Sequence, residues 1–229
     1  MKYEWLLFDA DGTLFDYDLA EDKALRGAYV EFGLAYDLRH GEAYRRINRQ
    51  VWLDFEQGKI TAEALRVRRF ALLFEAMGIA ADAKGFSDRY LAHLARAGDL
   101  LPGAEEVLRR LHGHYRMVVI TNGLKEVQRP RLSSSPIAGL FAALAVSDEL
   151  GVAKPDPRFF ETVFDQIGSP PREKVLVIGD SLTSDIQGGN TYGLDTCWFN
   201  PLGKPVDPRI PARYEIRALP QLLDLLGDL

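Results

Sequence analysis

From Pro102-Gly103 onward the chain alternates short apolar runs with helical stretches, and this alternation narrows the possible folds more than any other feature. Met117–Ile120, Leu144–Val146, Lys174–Ile178 and Thr196–Phe199 read as strands. Between and around them, Ala104–Leu111, Pro157–Ile167 and a stretch near Asp185–Tyr192 carry helical spacing. A strand at Tyr214–Ile216 and a helix at Pro220–Leu226 complete the pattern. Strands joined by helices pair in parallel, so the expected class is α/β.

One more run of this kind, Trp5-Leu6-Leu7-Phe8, stands near the amino end in a strand spanning about 3 to 9. The chain beyond this strand has a different character. From Asp18 to about Gly98 it is rich in Ala, Leu, Glu and Arg and poor in β-branched runs. Helices are expected from near Asp18 to before Gly33, from Gly41 to about Gln57, from an N-cap at Thr61 to Gly78, and around Ser87–Ala97. This stretch interrupts the sheet pattern after its first strand. Two domains are therefore expected: a core of residues 1–16 and 99–229, and an inserted α-helical cap domain of residues 17–98. The arginines of the insert (Arg45, Arg46, Arg49, Arg66, Arg68 and Arg69) read as a solvated face.

The chain has 229 residues, a formal net charge of −5 and a pI near 5.5. That balance argues against a nucleic-acid polymer or an anionic membrane as partner. No apolar run approaches the roughly 20 residues that span a bilayer. No basic segment followed by an apolar stretch marks a signal peptide. The lone Cys197 cannot form an intramolecular disulfide and reads as a small core residue on a strand. These features together lead us to expect a cytoplasmic protein.

The chemistry collects at strand ends. Phe8 leads directly into Asp9-Ala10-Asp11-Gly12-Thr13, two carboxylates followed by a glycine that lets the backbone turn. Ile120 leads into Thr121-Asn122-Gly123, a hydroxyl, an amide and free N–H groups suited to anionic oxygens. Ile178 leads into Gly179-Asp180, with Asp185 expected to open the next helix. Between these lies Lys154-Pro155. A parallel sheet brings such ends to one edge, where ligands bind. Four acids there repel one another unless a hard cation is bound. Mg²⁺ fits an all-oxygen donor set open to substrate phosphate. His40, His93, His112 and His114 show no zinc-ligand spacing, and neither a phosphate-binding loop ending in Lys-Ser/Thr nor a Gly-x-Gly-x-x-Gly fingerprint is present.

The four pieces in this order, Asp9-Ala10-Asp11-Gly12-Thr13, Thr121-Asn122-Gly123, Lys154-Pro155 and Gly179-Asp180 through Asp185, resemble the haloacid dehalogenase superfamily of phosphotransferases, and the resemblance covers the whole chain. It implies a Rossmann-like parallel core with the helical insert as a small cap over the active site. Asp9 is then the nucleophile, giving an aspartyl-phosphate, and Asp11 the general acid and base. Mg²⁺ is held by Asp9, the backbone carbonyl of Asp11 and Asp180, with Asp185 supporting metal-bound water. Lys154 offsets the charge on Asp9 and the phosphate. Thr121, with the N–H groups of Asn122 and Gly123, binds phosphoryl oxygens. Gly12 frees Asp11 to swing, and Thr13 reads as a turn and packing residue.

Within the superfamily Asp11 argues for phosphorus chemistry, since dehalogenation of carbon needs no second acid there. Phosphonate cleavage needs a cap lysine forming a Schiff base, and the candidates Lys23 and Lys59 look solvated. A mutase, or a non-catalytic binding module lacking the nucleophile or the lysine, fits less well. The stretch Phe8–Asp16 with the cap segment Asn48–Thr61 looks like the bacterial pyrimidine 5′-nucleotidase branch. The expected partner is a small phosphorylated metabolite, a nucleoside monophosphate, with phosphoglycolate or sugar phosphates as the alternative. Trp52 is a candidate to stack on a base, and Asn48 or Arg49 to hydrogen-bond its edge or ribose; Trp52 and Phe55 packing the cap core at helical spacing is the competing reading.

Overall fold

The computed structural model describes residues 2–227. Contacts divide the chain into two compact units, one of Met1–Tyr17 with Gly98–Leu229 and one of Asp18–Ala97. In chain order the elements are β1 (Trp5–Asp9), four long helices α1 (Tyr17–Glu31), α2 (Leu38–Glu56), α3 (Ala62–Met77) and α4 (Ala83–Leu94), then α5 (Ala104–Leu111), β2 (Arg116–Thr121), α6 (Lys125–Ser133), β3 (Ala143–Val146), α7 (Ser147–Leu150), α8 (Pro157–Ile167), β4 (Val175–Gly179), α9 (Gln187–Tyr192), β5 (Asp195–Phe199), β6 (Tyr214–Ile216) and α10 (Gln221–Leu226).

The first unit is built on a six-stranded sheet of order β3-β2-β1-β4-β5-β6, with every pair parallel. This is the expected α/β class with a Rossmann-like core. The strands read as unbroken apolar runs because both faces are covered. Along β1, Leu6 and Phe8 pack with Val107, Leu108 and Leu111 of α5, while Trp5 and Leu7 pack with Phe159, Phe160 and Val163 of α8. Cys197 is buried within β5, as its neighbours in the sequence imply. Helix α8 shows why its limits are sharp. Asp156 caps its start by accepting the Arg158 N–H at 2.9 Å, Pro157 opens the first turn, and Gly168 ends it in the left-handed region at φ 85°.

The second unit is all-helical around an aromatic core to which all four helices contribute. Tyr44 of α2 stacks on Phe70 of α3 at 5.4 Å, and Phe86 of α4 packs against Phe70 at 5.1 Å and Tyr29 of α1 at 5.2 Å. Two helices begin earlier than their sequence pattern indicates. Asp37 caps α2 by accepting the Arg39 N–H while His40 Nδ1 accepts the Asp37 N–H at 3.1 Å, and Asp82 caps α4 by accepting from Lys84 and Gly85. The arginine reading needs one correction. Arg69 is buried, not solvated, with its guanidinium 5.0 Å from the rings of both Phe70 and Tyr90.

Arg69 belongs to a buried polar set. Its Nη1 donates to Asn48 Oδ1 at 3.3 Å, and Asn48 Nδ2 donates to Glu21 Oε2 at 3.1 Å. Burial pushes the Glu21 carboxyl up to about 7, with Asp18 adding to the shift and the Asn48 hydrogen bond, Arg45 and Arg69 opposing it. A carboxyl raised in the folded state holds a proton that the unfolded chain releases. Its contribution to stability is therefore complete below about pH 4.5 and is lost as pH rises through about 7. The loss is on the order of 3 kcal/mol. Glu21→Gln carries no such proton, so between about pH 4.5 and pH 7.5 the variant should gain on the parent by that amount in chemical denaturation followed by circular dichroism. Parallel pH profiles for the two proteins would contradict the assignment.

Candidate active site

β1 lies at the centre of the sheet, and the chain builds outward from it first through β2 and β3, then through β4 and β5. The point between β1 and β4 is where the winding reverses, and ligands bind at the carboxyl edge of such a point. The register sets Asp9 beside Ile120 and Phe8 beside Ile178. Asp9, Thr121 and Asp180 thus sit at three neighbouring strand ends.

Lys154 joins these ends. Its ammonium is almost fully buried and uses all three of its hydrogens: on Asp9 Oδ1 at 2.7 Å, on Asp185 Oδ1 at 2.6 Å and on the Ile120 carbonyl at 3.0 Å. Burial opposes its charge, but Asp185 and Asp9 outweigh that effect and hold it above the usual lysine range. Asp9 is buried as well, and its carboxyl is pushed well up by desolvation; Lys154 counteracts this, while Asp185 and Asp180 add to it. Thr13 donates from Oγ1 to Asp9 Oδ2 at 3.2 Å, so it touches the nucleophile candidate in addition to its turn role.

Asp180 is raised to about 7, chiefly by desolvation and then by Asp185. Two features fix its place. The indole N–H of buried Trp198 donates to its carbonyl at 3.0 Å, and Gly12, at φ 81°, passes so close that a Cβ there would lie 2.9 Å from Asp180 Oδ2. Gly12 is therefore required for the approach of Asp180 as well as for its turn. Asp185 does not open an α-helix. It lies inside a π-helical turn, Leu182–Ile186, where both its own N–H and that of Ile186 point to the Ser181 carbonyl. Its second carboxylate oxygen accepts the Ser181 N–H at 3.1 Å.

Asp9, Asp180 and Asp185 each offer a carboxylate oxygen, and these atoms lie within 4.8 Å of one another. Fully ionised, the three acids would leave two negative charges beyond the one ammonium. That excess, with oxygen donors only, fits a hard dication. The Asp11 carboxylate is not in this group. It is drawn instead to α6, where Oδ1 accepts from Arg131 Nη2 and Oδ2 from Gln128 Nε2 at 2.5 Å. The sequence pattern did not single out Gln128 or Arg131. Their signal was a Gln-x-x-Arg spacing that places both on one helix face just after Thr121-Asn122-Gly123.

The three phosphate-binding candidates are brought together but are partly engaged with one another. Thr121 is buried, and its Oγ1 accepts the Gly123 N–H at 3.0 Å. The Asn122 amide forms a pair of 2.8 Å hydrogen bonds with the backbone of Lys154, donating to its carbonyl and accepting its N–H. Asn122 thereby holds the lysine in place. In the helical unit, Asn48 is buried and committed to Glu21 and Arg69, while half-buried Trp52 packs edge-on against Phe55 at 5.7 Å. Lys23 and Lys59 are exposed.

A family model described as haloacid dehalogenase-like hydrolase matches residues 3–193. The pyrimidine 5′-nucleotidase PynA of Streptococcus pneumoniae is 39% identical over 227 residues, covering 99% of this chain and 96% of that protein. The pyrimidine 5′-nucleotidase YjjG of Escherichia coli is 31% identical over 226 residues and 99% of each chain. Among solved structures, that of YfnB from Bacillus subtilis bound to magnesium superimposes with a TM-score of 0.94 at 36% identity, covering 99% of this chain and 100% of that one. With its motifs at the carboxyl edge of a parallel sheet and relatives matching along nearly its full length, the chain belongs to the haloacid dehalogenase-like hydrolases.

Proposed function

We propose that this chain is a Mg²⁺-dependent phosphatase that hydrolyses nucleoside 5′-monophosphates, pyrimidine nucleotides foremost, through an aspartyl-phosphate on Asp9. The observation that carries the reaction is the buried Asp9 carboxylate at the end of β1, tethered to Lys154 and facing two further acids. The substrate class rests on the names of PynA and YjjG, which match over nearly the whole chain. We read residues 17–98 as the inserted cap of a core formed by 1–16 and 99–229.

An oxygen of Asp9 attacks phosphorus, and the bond from phosphorus to the ester oxygen breaks. The leaving oxygen takes the proton of the Asp11 carboxyl. Asp11, now a carboxylate, removes a proton from water as that water attacks the same phosphorus, the bond to Asp9 breaks, and phosphate is released. Lys154 opposes the effect of burial on the Asp9 carboxyl and faces the charge that builds on the phosphoryl group. Thr121 already accepts from Gly123, which leaves its own hydroxyl hydrogen for a phosphoryl oxygen. The backbone N–H of Asn122 is the second donor, and that of Gly123 can join only by giving up Thr121. Asp9 and Asp180, with the Asp11 backbone carbonyl, would hold Mg²⁺, with Asp185 behind them; when bound, the ion neutralises phosphate charge and orients the displacement. Asp185 suits a supporting place because both of its oxygens already accept hydrogen bonds.

Turnover of p-nitrophenyl phosphate should stop on chelation and return with Mg²⁺. Asp9→Asn should lower it by about a thousandfold or more, since the variant keeps the shape and removes the attacking carboxylate. Undiminished turnover by the variant would end the assignment of the nucleophile. On a panel of UMP, dUMP, dTMP, AMP, phosphoglycolate and hexose phosphates, kcat/KM for the pyrimidine nucleotides should exceed that for the sugars by about tenfold or more. Equal values for nucleotides and sugars would remove the nucleotidase reading and leave a general small-phosphate phosphatase.

A further inference from the structure

Asp11 lies between two side chains of α6 that no motif of the sequence accounts for. Gln128 and Arg131 are three residues apart, on one face of that helix, and both are almost fully buried. Each takes a different oxygen of Asp11, Arg131 Nη2 on Oδ1 and Gln128 Nε2 on Oδ2. They are also tied to each other, because Arg131 Nη2 donates to Gln128 Oε1 at 3.0 Å. The three groups close a ring of hydrogen bonds, so neither oxygen of the carboxylate can turn without breaking one of them.

The surroundings of Arg131 show that this ring is its main polar tether. Its guanidinium lies 4.7 Å from the Phe15 ring, and its Nε and Nη1 have no hydrogen-bond partner among the described residues. The ion pair with Asp11 is formed between a fully buried guanidinium and a carboxylate that is one quarter exposed. Asp11 thus faces open space on one side and a rigid pair of donors on the other. Gln128 is itself confined, since a Cβ on Gly123 would fall 2.1 Å from its Nε2. The ring therefore links the carboxylate of Asp11 to the turn that follows β2.

We infer that Arg131 and Gln128 are positioning residues for the Asp11 carboxyl group, setting where it meets the leaving-group oxygen. The inference rests on the proposed reaction, in which Asp11 hands a proton to that oxygen. A group that positions the acid matters where the leaving oxygen needs a proton and matters little where it departs as a stable anion. A merely structural pair would lower both kinds of turnover alike.

The test measures kcat/KM with Mg²⁺ for dUMP, whose alkoxide needs protonation, and for p-nitrophenyl phosphate, whose phenolate does not. Parent, Asp11→Asn, Arg131→Met, Gln128→Met and the Asp11→Asn/Arg131→Met double variant are compared. Arg131→Met and Gln128→Met should each lose about tenfold or more on dUMP and less than about threefold on p-nitrophenyl phosphate, a fraction of what the acid itself supplies. Inhibition by inorganic phosphate should change little, and adding Arg131→Met to Asp11→Asn should produce no further loss on dUMP. Equal losses on the two substrates, no loss, a gain, or a loss that persists beside Asp11→Asn would overturn the inference. Should Arg131→Met fail to fold, Gln128→Met gives the same reading alone. If Asp11→Asn itself shows no difference between the substrates, the proposed role of Asp11 fails; if Asp11→Asn shows it and the α6 variants do not, only the positioning role fails.

Discussion

The buried ammonium of Lys154 is the constraint on which the site depends. An ammonium has three hydrogens, and here each has a different structural owner: Asp9 at the end of β1, the last-but-one carbonyl of β2, and Asp185 in the turn beyond β4. Leaving such a charge without a partner costs about 3–5 kcal/mol. The three contacts therefore hold one another in register. The Asn122 amide closes the arrangement from behind by fixing both backbone groups of Lys154. The price of concentrating so many acids is visible in the raised Asp9 and Asp180 carboxyls. A fold selected for stability alone would replace this cluster with apolar side chains. Its retention at the edge of the sheet is what a charge-handling reaction needs.

Much of the core unit was legible because its signals are local. Short apolar runs bounded by Gly, Pro and polar residues place the strands whatever surrounds them, and the limits of α5 and α8 follow from Pro102-Gly103, Pro157 and Gly168. The site residues at the strand ends were legible for the same reason, since each follows its strand directly. What stayed hidden depends on distance through space. The hydrogen bond from Thr13 to Asp9 and the burial of Arg69 are visible only once the chain has folded. Gln128 and Arg131 are separated from Asp11 by more than a hundred residues, and a polar pair three apart on a helix ordinarily faces water. The early starts of α2 and α4 were missed for a different reason: the caps Asp37 and Asp82 precede positions without apolar periodicity, including the exposed Leu38.

The helical unit shows how a polar residue within a hydrophobic pattern can be misread in either direction. Asn48 has the composition of a ligand contact, yet its amide is placed between a carboxyl and a guanidinium inside the unit. The exchange is economical, since the amide can donate to Glu21 and accept from Arg69 at once. Aromatic rings complete the enclosure, with Arg69 over both Phe70 and Tyr90. Trp52 and Phe55 rest on each other three residues apart, the arrangement that helical spacing favours.

Asp9 and Asp11 stand two residues apart at the end of one strand, yet they meet different partners. Asp9 is enclosed with an ammonium and two further acids. Asp11 is directed away from that group by a guanidinium and an amide on another helix, and part of it stays open to solvent. The turn at Gly12, which brings the backbone past Asp180, is where the two environments separate. Two equal carboxylates sharing one setting would compete for one role, because each disfavours the charge of the other. Divided settings let adjacent acids take unlike tasks. Asp9 is paired with the Lys154 ammonium, whereas Asp11 is paired with the guanidinium of Arg131 and the amide of Gln128. The spacing of the two acids in the sequence is thus only half of the device; the other half is α6, which holds the second acid away from the first.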